Sequence, residues 1–178
     1  GECAPFPMLV GETQDTCFYV GQDLARKLIG KDPLQIQERL RELDGFIAFN
    51  ATIKSAFDMA LYDIASKEKG IPLYAFLGGR KKPIQTDLTI GISSAESMAQ
   101  KAISFVADGV KIIKIKLGKN GKKDVERIRA IRAAVGNTIP IRIDANQGWK
   151  VKEAIETLQA LAPFSIQYCE EPIARWKF

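Results

Sequence analysis

From Leu77-Gly78-Gly79 onward, short apolar runs alternate with helical stretches, and this alternation limits the fold more than any other feature of the chain. Residues 84–92, 110–117, 139–145 and 166–170 read as strands, and residues 95–107, 124–135 and 152–161 between them read as helices. Strands joined by helical crossovers pair in parallel with right-handed connections. The class is therefore α/β, either an open doubly wound sheet or a TIM-like (β/α) barrel. The positions of the reactive residues separate the two. Lys114 and Lys116 close the second strand, Asp144 and Asn146 the third, and Glu170 and Glu171 the fourth. In a barrel such carboxyl-terminal strand ends converge on one mouth, where the following loops build a site. No Gly-x-Gly-x-x-Gly follows the first strand, which weighs against a dinucleotide-binding sheet.

Upstream the pattern is helical from Thr13 to Gly70, most clearly over residues 23–28, 33–43 and 51–69, with Gly30, Gly45 and Gly70 as punctuation. Ile53, Phe57, Ala60, Leu61 and Ile64 recur at spacings of three and four and form one apolar face. Asn50 is the expected N-cap of that helix and Gly70-Ile71-Pro72 its stop. Two domains are expected, residues 1–79 and 80–178.

The chain has no histidine, which removes Ser-His and Cys-His catalysis and leaves Lys, Asp, Glu and Tyr as proton carriers. Its three cysteines, Cys3, Cys17 and Cys169, are odd in number and widely spaced, so neither a disulfide framework nor a zinc site is expected. A reducing, cytoplasmic setting follows from that reading. No apolar run reaches the ~20 residues of a membrane span. The net charge of +5 includes a cluster at Lys116, Lys119, Lys122 and Lys123, but no aromatic residues interleave with it, so no nucleic-acid partner is expected.

Side chains alternate faces along a strand, so Lys114 and Lys116 share one face. Two adjacent ammonium groups disfavour each other's charge, and one of them could serve as a base near neutral pH; the plainer reading is a pair of exposed lysines ending a strand. Asp144 and Glu170 supply hard oxygen ligands suited to magnesium, although Asp-x-Asn also caps loops and an acid before Pro172 also makes a turn.

Three segments, Lys114-Ile115-Lys116-Leu117-Gly118, Ile143-Asp144-Ala145-Asn146-Gln147-Gly148-Trp149 and Cys169-Glu170-Glu171-Pro172, resemble successive strand-end motifs of the muconate-lactonizing branch of the enolase superfamily. Ala56-Phe57-Asp58-Met59-Ala60-Leu61-Tyr62-Asp63-Ile64-Ala65 is similar to the last capping-domain helix, and Pro72-Leu73-Tyr74-Ala75-Phe76-Leu77-Gly78-Gly79 to the lead into the barrel. Thr86-Asp87-Leu88-Thr89-Ile90 most resembles dipeptide epimerases of the L-Ala-D/L-Glu type.

The resemblance implies an enolase-type (β/α)7β barrel, with about four strands present here, preceded by part of an α+β capping domain. It implies abstraction of a proton alpha to a carboxylate, with Lys116 as acid/base, Lys114 supporting it and Thr89 contacting substrate. By the same likeness Asp144 and Glu170 ligate Mg2+, with Asn146 beside them. The implied partner is a small-molecule carboxylate or dipeptide, in a possible homo-oligomer. Muconate cycloisomerase and o-succinylbenzoate synthase share these motifs, and a non-catalytic binding fragment is the reading from another class. The third metal carboxylate, a second catalytic lysine and an acidic motif for a dipeptide ammonium are expected beyond Phe178. The capping domain's first strands are expected before Gly1, so the chain reads as a fragment.

Overall fold

The computed structural model describes residues 1–177 and divides the chain into two compact units, Gly1–Lys82 and Pro83–Phe178. The first unit is helical: α1 (Pro7–Val10), α2 (Gln14–Leu28), α3 (Ile36–Phe46), α4 (Ala51–Glu68) and α5 (Leu73–Phe76). Its second helix starts well before residue 23, at a reciprocal cap in which Thr16 N donates to Thr13 Oγ1 at 3.2 Å and Thr13 N donates to Thr16 Oγ1 at 2.8 Å. Phe18 and Tyr19 in this first half are exposed, so it lacks the apolar stripe that marks a helix in sequence.

Asn50 stands at the N-cap position of α4 but does not cap it. Its backbone is left-handed, with φ 54°, and its side-chain amide turns back to the Ala48 carbonyl at 2.8 Å. The free N–H groups go instead to buried Glu12, whose Oε1 accepts from Thr52 N at 3.0 Å and whose Oε2 accepts from Ile53 N at 3.4 Å. Burial pushes the Glu12 carboxyl up, but these donors and the Thr52 hydroxyl outweigh it and hold the group below the usual carboxylate range. No helix among the described residues is long and apolar enough to cross a membrane.

The second unit runs β1 (Leu88–Ile90), α6 (Ala95–Ala107), β2 (Ile113–Lys116), α7 (Gly121–Val135), β3 (Ile141–Asp144), α8 (Val151–Leu161) and β4 (Ile166–Glu170). All neighbouring strands are parallel, in the order β1-β2-β3-β4. A doubly wound sheet reverses its strand order at a switch point, whereas sequential order is one arc of a barrel. The first three strands are shorter than their apolar runs, while the fourth spans the expected Ile166–Glu170: the first spans Leu88–Ile90 rather than residues 84–92, because β2 supplies partners only along Ile113–Ile115.

In β1, β2 and β3 side chains alternate between the two faces of the sheet. Ile90, Ile113, Ile115, Ile141 and Ile143 are buried with Met98, Ala102, Ile128, Ile131, Ala154 and Leu161 from the three helices. Each buried isoleucine contributes about 1.5–3 kcal/mol. The intervening residues Thr89, Lys114, Lys116, Arg142 and Asp144 line the other face. A parallel sheet covered on both sides has near-continuous apolar strands, so a polar alternate face marks where chemistry is possible.

Candidate active site

The fourth strand does not follow the simple period. Unbroken alternation from Ile166 would carry Tyr168 and Glu170 to the helix-facing side. A β-bulge prevents this: Ile141 pairs with Ile166, but Ile143 pairs with Cys169 and Asp144 with Glu170. One extra residue in β4 therefore keeps Ile166 and Cys169 against the core and turns Glu170 to the side of Asp144.

On that face four charged groups meet. Lys116 Nζ lies 2.7 Å from Asp144 Oδ2 and 2.9 Å from Asn146 Oδ1. Lys114 Nζ lies 2.5 Å from Glu170 Oε2 and 3.3 Å from Asp144 Oδ2. The Asp144 side chain is 1% exposed, whereas those of Lys114 and Lys116 are 18% and 33% exposed, so the carboxylate forms the floor and the ammonium groups reach toward solvent. Asn146 N donates to Asp144 Oδ1 at 2.9 Å, which fixes the carboxylate's rotation.

Burial pushes the Asp144 carboxyl up, and the Lys116 ammonium, the Asn146 amide and Lys114 together hold it below its usual value. Lys114 moves opposite to the expected mutual repulsion of two ammoniums. The Glu170 carboxylate raises its pKa, burial opposes this, and Asp144 adds to the rise. Attraction to two carboxylates outweighs repulsion from one lysine, so Lys114 is held as a cation.

Thr89 is in register with Lys114 on β1 and shares its face, but it makes no hydrogen bond to Lys114, Lys116, Asp144 or Glu170. The structure thus gathers Lys114, Lys116, Asp144, Asn146 and Glu170 into one contact network and leaves Thr89 beside it. Among the described residues no group of three or more His, Cys, Asp or Glu could hold a metal. The third carboxylate and second lysine expected beyond Phe178 are not among the residues of this chain.

The loops after β2 and β3 are in contact. A Cβ on Gly118, where φ is +104°, would stand 2.0 Å from the Ala145 carbonyl oxygen, and one on Gly148 would stand 2.1 Å from the Gly118 carbonyl oxygen. Asn146, Gln147 and Glu171 are non-glycine residues at φ 44°, 62° and 42°, all just past β3 and β4. Strain of this kind gathers where surrounding contacts over-determine a site. Gln147 N donates to the Glu171 carbonyl at 2.7 Å and its side-chain amide to Glu171 Oε1 at 3.1 Å.

Two further groups went unmarked in the sequence. Arg142 Nη1 binds Asp87 Oδ2 at 2.8 Å and its Nε binds Gln167 Oε1 at 2.8 Å, one layer beneath the site. Asp124 and Arg127, near the start of α7, bond to the loops around the mouth. Charge placed at an apolar strand's alternate position was a signal for Arg142; Asp124 gave none, since an acid in a helix's first turn reads as ordinary dipole pairing.

Residues 97–178 match the family described as Enolase C-terminal domain-like, and residues 1–78 match the Mandelate racemase / muconate lactonizing enzyme N-terminal domain. The chain belongs to the enolase superfamily. Within that superfamily it is 53% identical over 176 residues to a D-Ala-D/L-Ala epimerase of Cytophaga hutchinsonii, across 98% of this chain and 48% of that protein. It is 37% identical to an L-Ala-D/L-Glu epimerase of Clostridium acetobutylicum, across 99% of this chain and 50% of that protein. A crystal structure of the Cytophaga hutchinsonii dipeptide epimerase, complexed with Mg and D-Ala-L-Val, superposes with a TM-score of 0.95 at 52% identity, covering 99% of this chain and 48% of that one. The chain spans about half the length of the curated relatives it matches.

Proposed function

We propose that this chain carries one side of the active site of a magnesium-dependent dipeptide epimerase, in which Lys116 exchanges the proton alpha to the substrate's terminal carboxylate. The observation that carries this reading is the convergence of Asp144 and Glu170 on one cation. The Lys114 ammonium bonds both carboxylates, at 3.3 and 2.5 Å, so their oxygens are already close enough to share a positive charge. Two hard carboxylates beside an open polar face fit magnesium, which takes one or two such ligands and completes its shell with water and substrate oxygens.

In this reading Asp144 and Glu170 hold the metal, and Asn146 fixes Asp144. Magnesium, when bound, supplies positive charge against the second negative charge that develops on the substrate carboxylate as its α-proton leaves. Lys116 takes that proton from one face and returns one to it, its ammonium oriented by Asn146 and Asp144. Lys114, held cationic, keeps positive charge beside the two acids and does not need to exchange a proton. Enolase-superfamily sites pair a Lys or His base with magnesium, and this sequence contains no histidine. Free thiols at Cys3, Cys17 and Cys169 suit a reducing compartment, and we place the protein in the cytoplasm.

The two relatives' names differ in the residue that is inverted, Ala or Glu, and in the configuration of the alanine before it, but both name an alanyl dipeptide, so alanyl dipeptides are the proposed substrates. The test is incubation of the full-length protein and magnesium with L- and D-configured Ala-Ala and Ala-Glu, read by chiral chromatography. Inversion at the residue bearing the terminal carboxylate, stopped by a chelator, is expected. No inversion of any dipeptide, with turnover of a muconate or succinylbenzoate precursor instead, overturns the reading.

A further inference from the structure

Asp124 is fully buried, yet its carboxylate serves little of its own helix. Two of the free N–H groups at the start of α7 have other acceptors: Asn120 Oδ1 accepts from Lys123 N at 3.0 Å, and Glu153 Oε1 accepts from Gly121 N at 2.8 Å. Asp124 instead reaches outward. Its Oδ2 accepts from Gly118 N at 3.0 Å, from Asn120 N at 3.4 Å and from the indole Nε1 of Trp149 at 2.9 Å. Its Oδ1 pairs with Arg127 Nη1 at 2.7 Å, and Arg127 Nε donates to the Ser93 carbonyl at 2.8 Å.

Directly or through Arg127, these bonds reach three different loops at the mouth. Gly118 lies two residues past Lys116, Trp149 three past Asn146, and Ser93 four past Thr89. The backbone N of Trp149 also donates to the Pro172 carbonyl at 3.3 Å, which extends the connection to the loop after Glu170. A single buried carboxylate thus joins the loops that follow β2 and β3, and through Arg127 the loop that follows β1. Hydrogen bonds to an ionised acceptor are the strong kind, and in a buried place their loss costs the most.

The other end of the same helix gives a contrast. Buried Arg132 bonds the carbonyls of Gly136, Ile139, Phe164 and Ser165, on loops that lead into strands and carry no reactive residue. That end of a barrel serves stability, whereas the end held by Asp124 carries the chemistry.

We propose that Asp124, supported by Arg127, is a positioning residue for proton transfer, which clamps the loops after β1, β2 and β3 and so sets Lys116 against Asp144 and Asn146. The proposal rests on the epimerase reading for its rate effect, but not for the clamp. A displacement of about 1 Å at a reacting group costs on the order of 10²-fold in rate, which is the scale expected from releasing these loops.

The test uses the full-length protein with Asp124→Asn and Trp149→Phe, the second of which keeps the Asp124–Arg127 pair and so remains informative if the first fails to fold. Ile131→Val, on the core face of α7, supplies a control that loses stability away from the mouth. Hydrogen exchange of segments 117–121 and 145–149 is followed in chelated protein, and kcat and KM are followed with magnesium. Expected are a joint rise of exchange in both segments and a fall in kcat of roughly 10²-fold for Asp124→Asn, with KM within about threefold. Ile131→Val should lower the unfolding midpoint without either change. A folded Asp124→Asn with the wild-type kcat, or segments that loosen independently, overturns the positioning role. Failure of the epimerase reading alone would show as a wild type that inverts no dipeptide while both segments still loosen together, which upholds the clamp.

Discussion

Replacing Gly118 by alanine in the full-length protein adds one methyl group where the loops after β2 and β3 nearly touch. The new Cβ would stand 2.0 Å from the Ala145 carbonyl oxygen and 2.9 Å from its carbon, both backbone atoms that cannot swing aside. Bringing the nearer contact to the 3.0 Å limit requires the loops to part by about 1 Å. Lys116 lies two residues upstream, with its Nζ 2.7 Å from Asp144 and 2.9 Å from Asn146. The same parting carries both contacts past the hydrogen-bond range of roughly 3.2 Å. A side chain at φ +104° adds about 1–3 kcal/mol of backbone strain. With a weakened charged hydrogen bond of about 1.5 kcal/mol, the expected loss is roughly 2.5–4.5 kcal/mol of stability, with about 10²-fold in rate. Gly109→Ala separates strain from contact, because Gly109 has φ +84° but open space around its Cβ. It should lose about 1–2 kcal/mol and keep its rate. Denaturant unfolding and α-proton exchange on both variants decide the matter. Wild-type exchange in Gly118→Ala, or an equal loss in Gly109→Ala, refutes the reasoning from loop contact.

In chelated protein the Asp144 and Lys114 contributions to stability should be lost at opposite ends of the pH range. Asp144 has a lowered pKa, so its contribution is full above the unfolded value of about 3.9 and fades as pH falls through the folded value; Lys114 has a raised pKa, so its contribution is full below about 10.4 and fades at higher pH. Unfolding midpoints against pH should show no slope from this cluster between about pH 6 and 9, and an unchanged acid limb in Asp144→Asn would exclude the assignment. Calorimetric titration should show magnesium affinity at least about tenfold weaker in Asp144→Asn, with a smaller loss in Asn146→Ala; equal affinity in both would remove Asp144 as a ligand. Burial, with Glu12 adding to it, pushes the Cys17 thiol up to about 11, and burial with the Asp144 and Glu170 charges does the same to Cys169. Iodoacetamide near pH 8, followed by mass spectrometry, should therefore label Cys3 ahead of both, and rapid labelling of Cys17 in folded protein would contradict its burial.

Period two made the polar face legible: Ile-Lys-Ile-Lys and Ile-Arg-Ile-Asp announce which side each strand presents. Glu170 was found by its place at a strand end and not by alternation, since the bulge that aligns it with Asp144 inserts a residue no turn signal marks. The lysine pair illustrates a different limit. Lys-x-Lys spacing showed the two ammoniums to be neighbours, but the sign of the shift at Lys114 depends on Glu170, far away in sequence and adjacent in space. Long-range capping was hidden for the same reason: Asn50 has the right chemistry at the right position, and Glu12 takes its place through a contact some forty residues apart in the chain. The first three strands were read too long because apolar runs continue beyond the point where a neighbour strand offers hydrogen bonds, whereas the fourth was read at its full length.

The role of Lys116 is most directly tested by deuterium exchange in the full-length Lys116→Ala protein with magnesium, using each epimer of an alanyl dipeptide in D2O and following the α-proton by NMR. Inversion needs a base on each face, so loss of Lys116 should stop inversion in both directions. Deuterium should then enter one epimer only, through the base on the opposite face. Equal exchange into both epimers, or inversion at the wild-type rate, would show that Lys116 is not the face-specific acid/base and would leave the two lysines a purely electrostatic role.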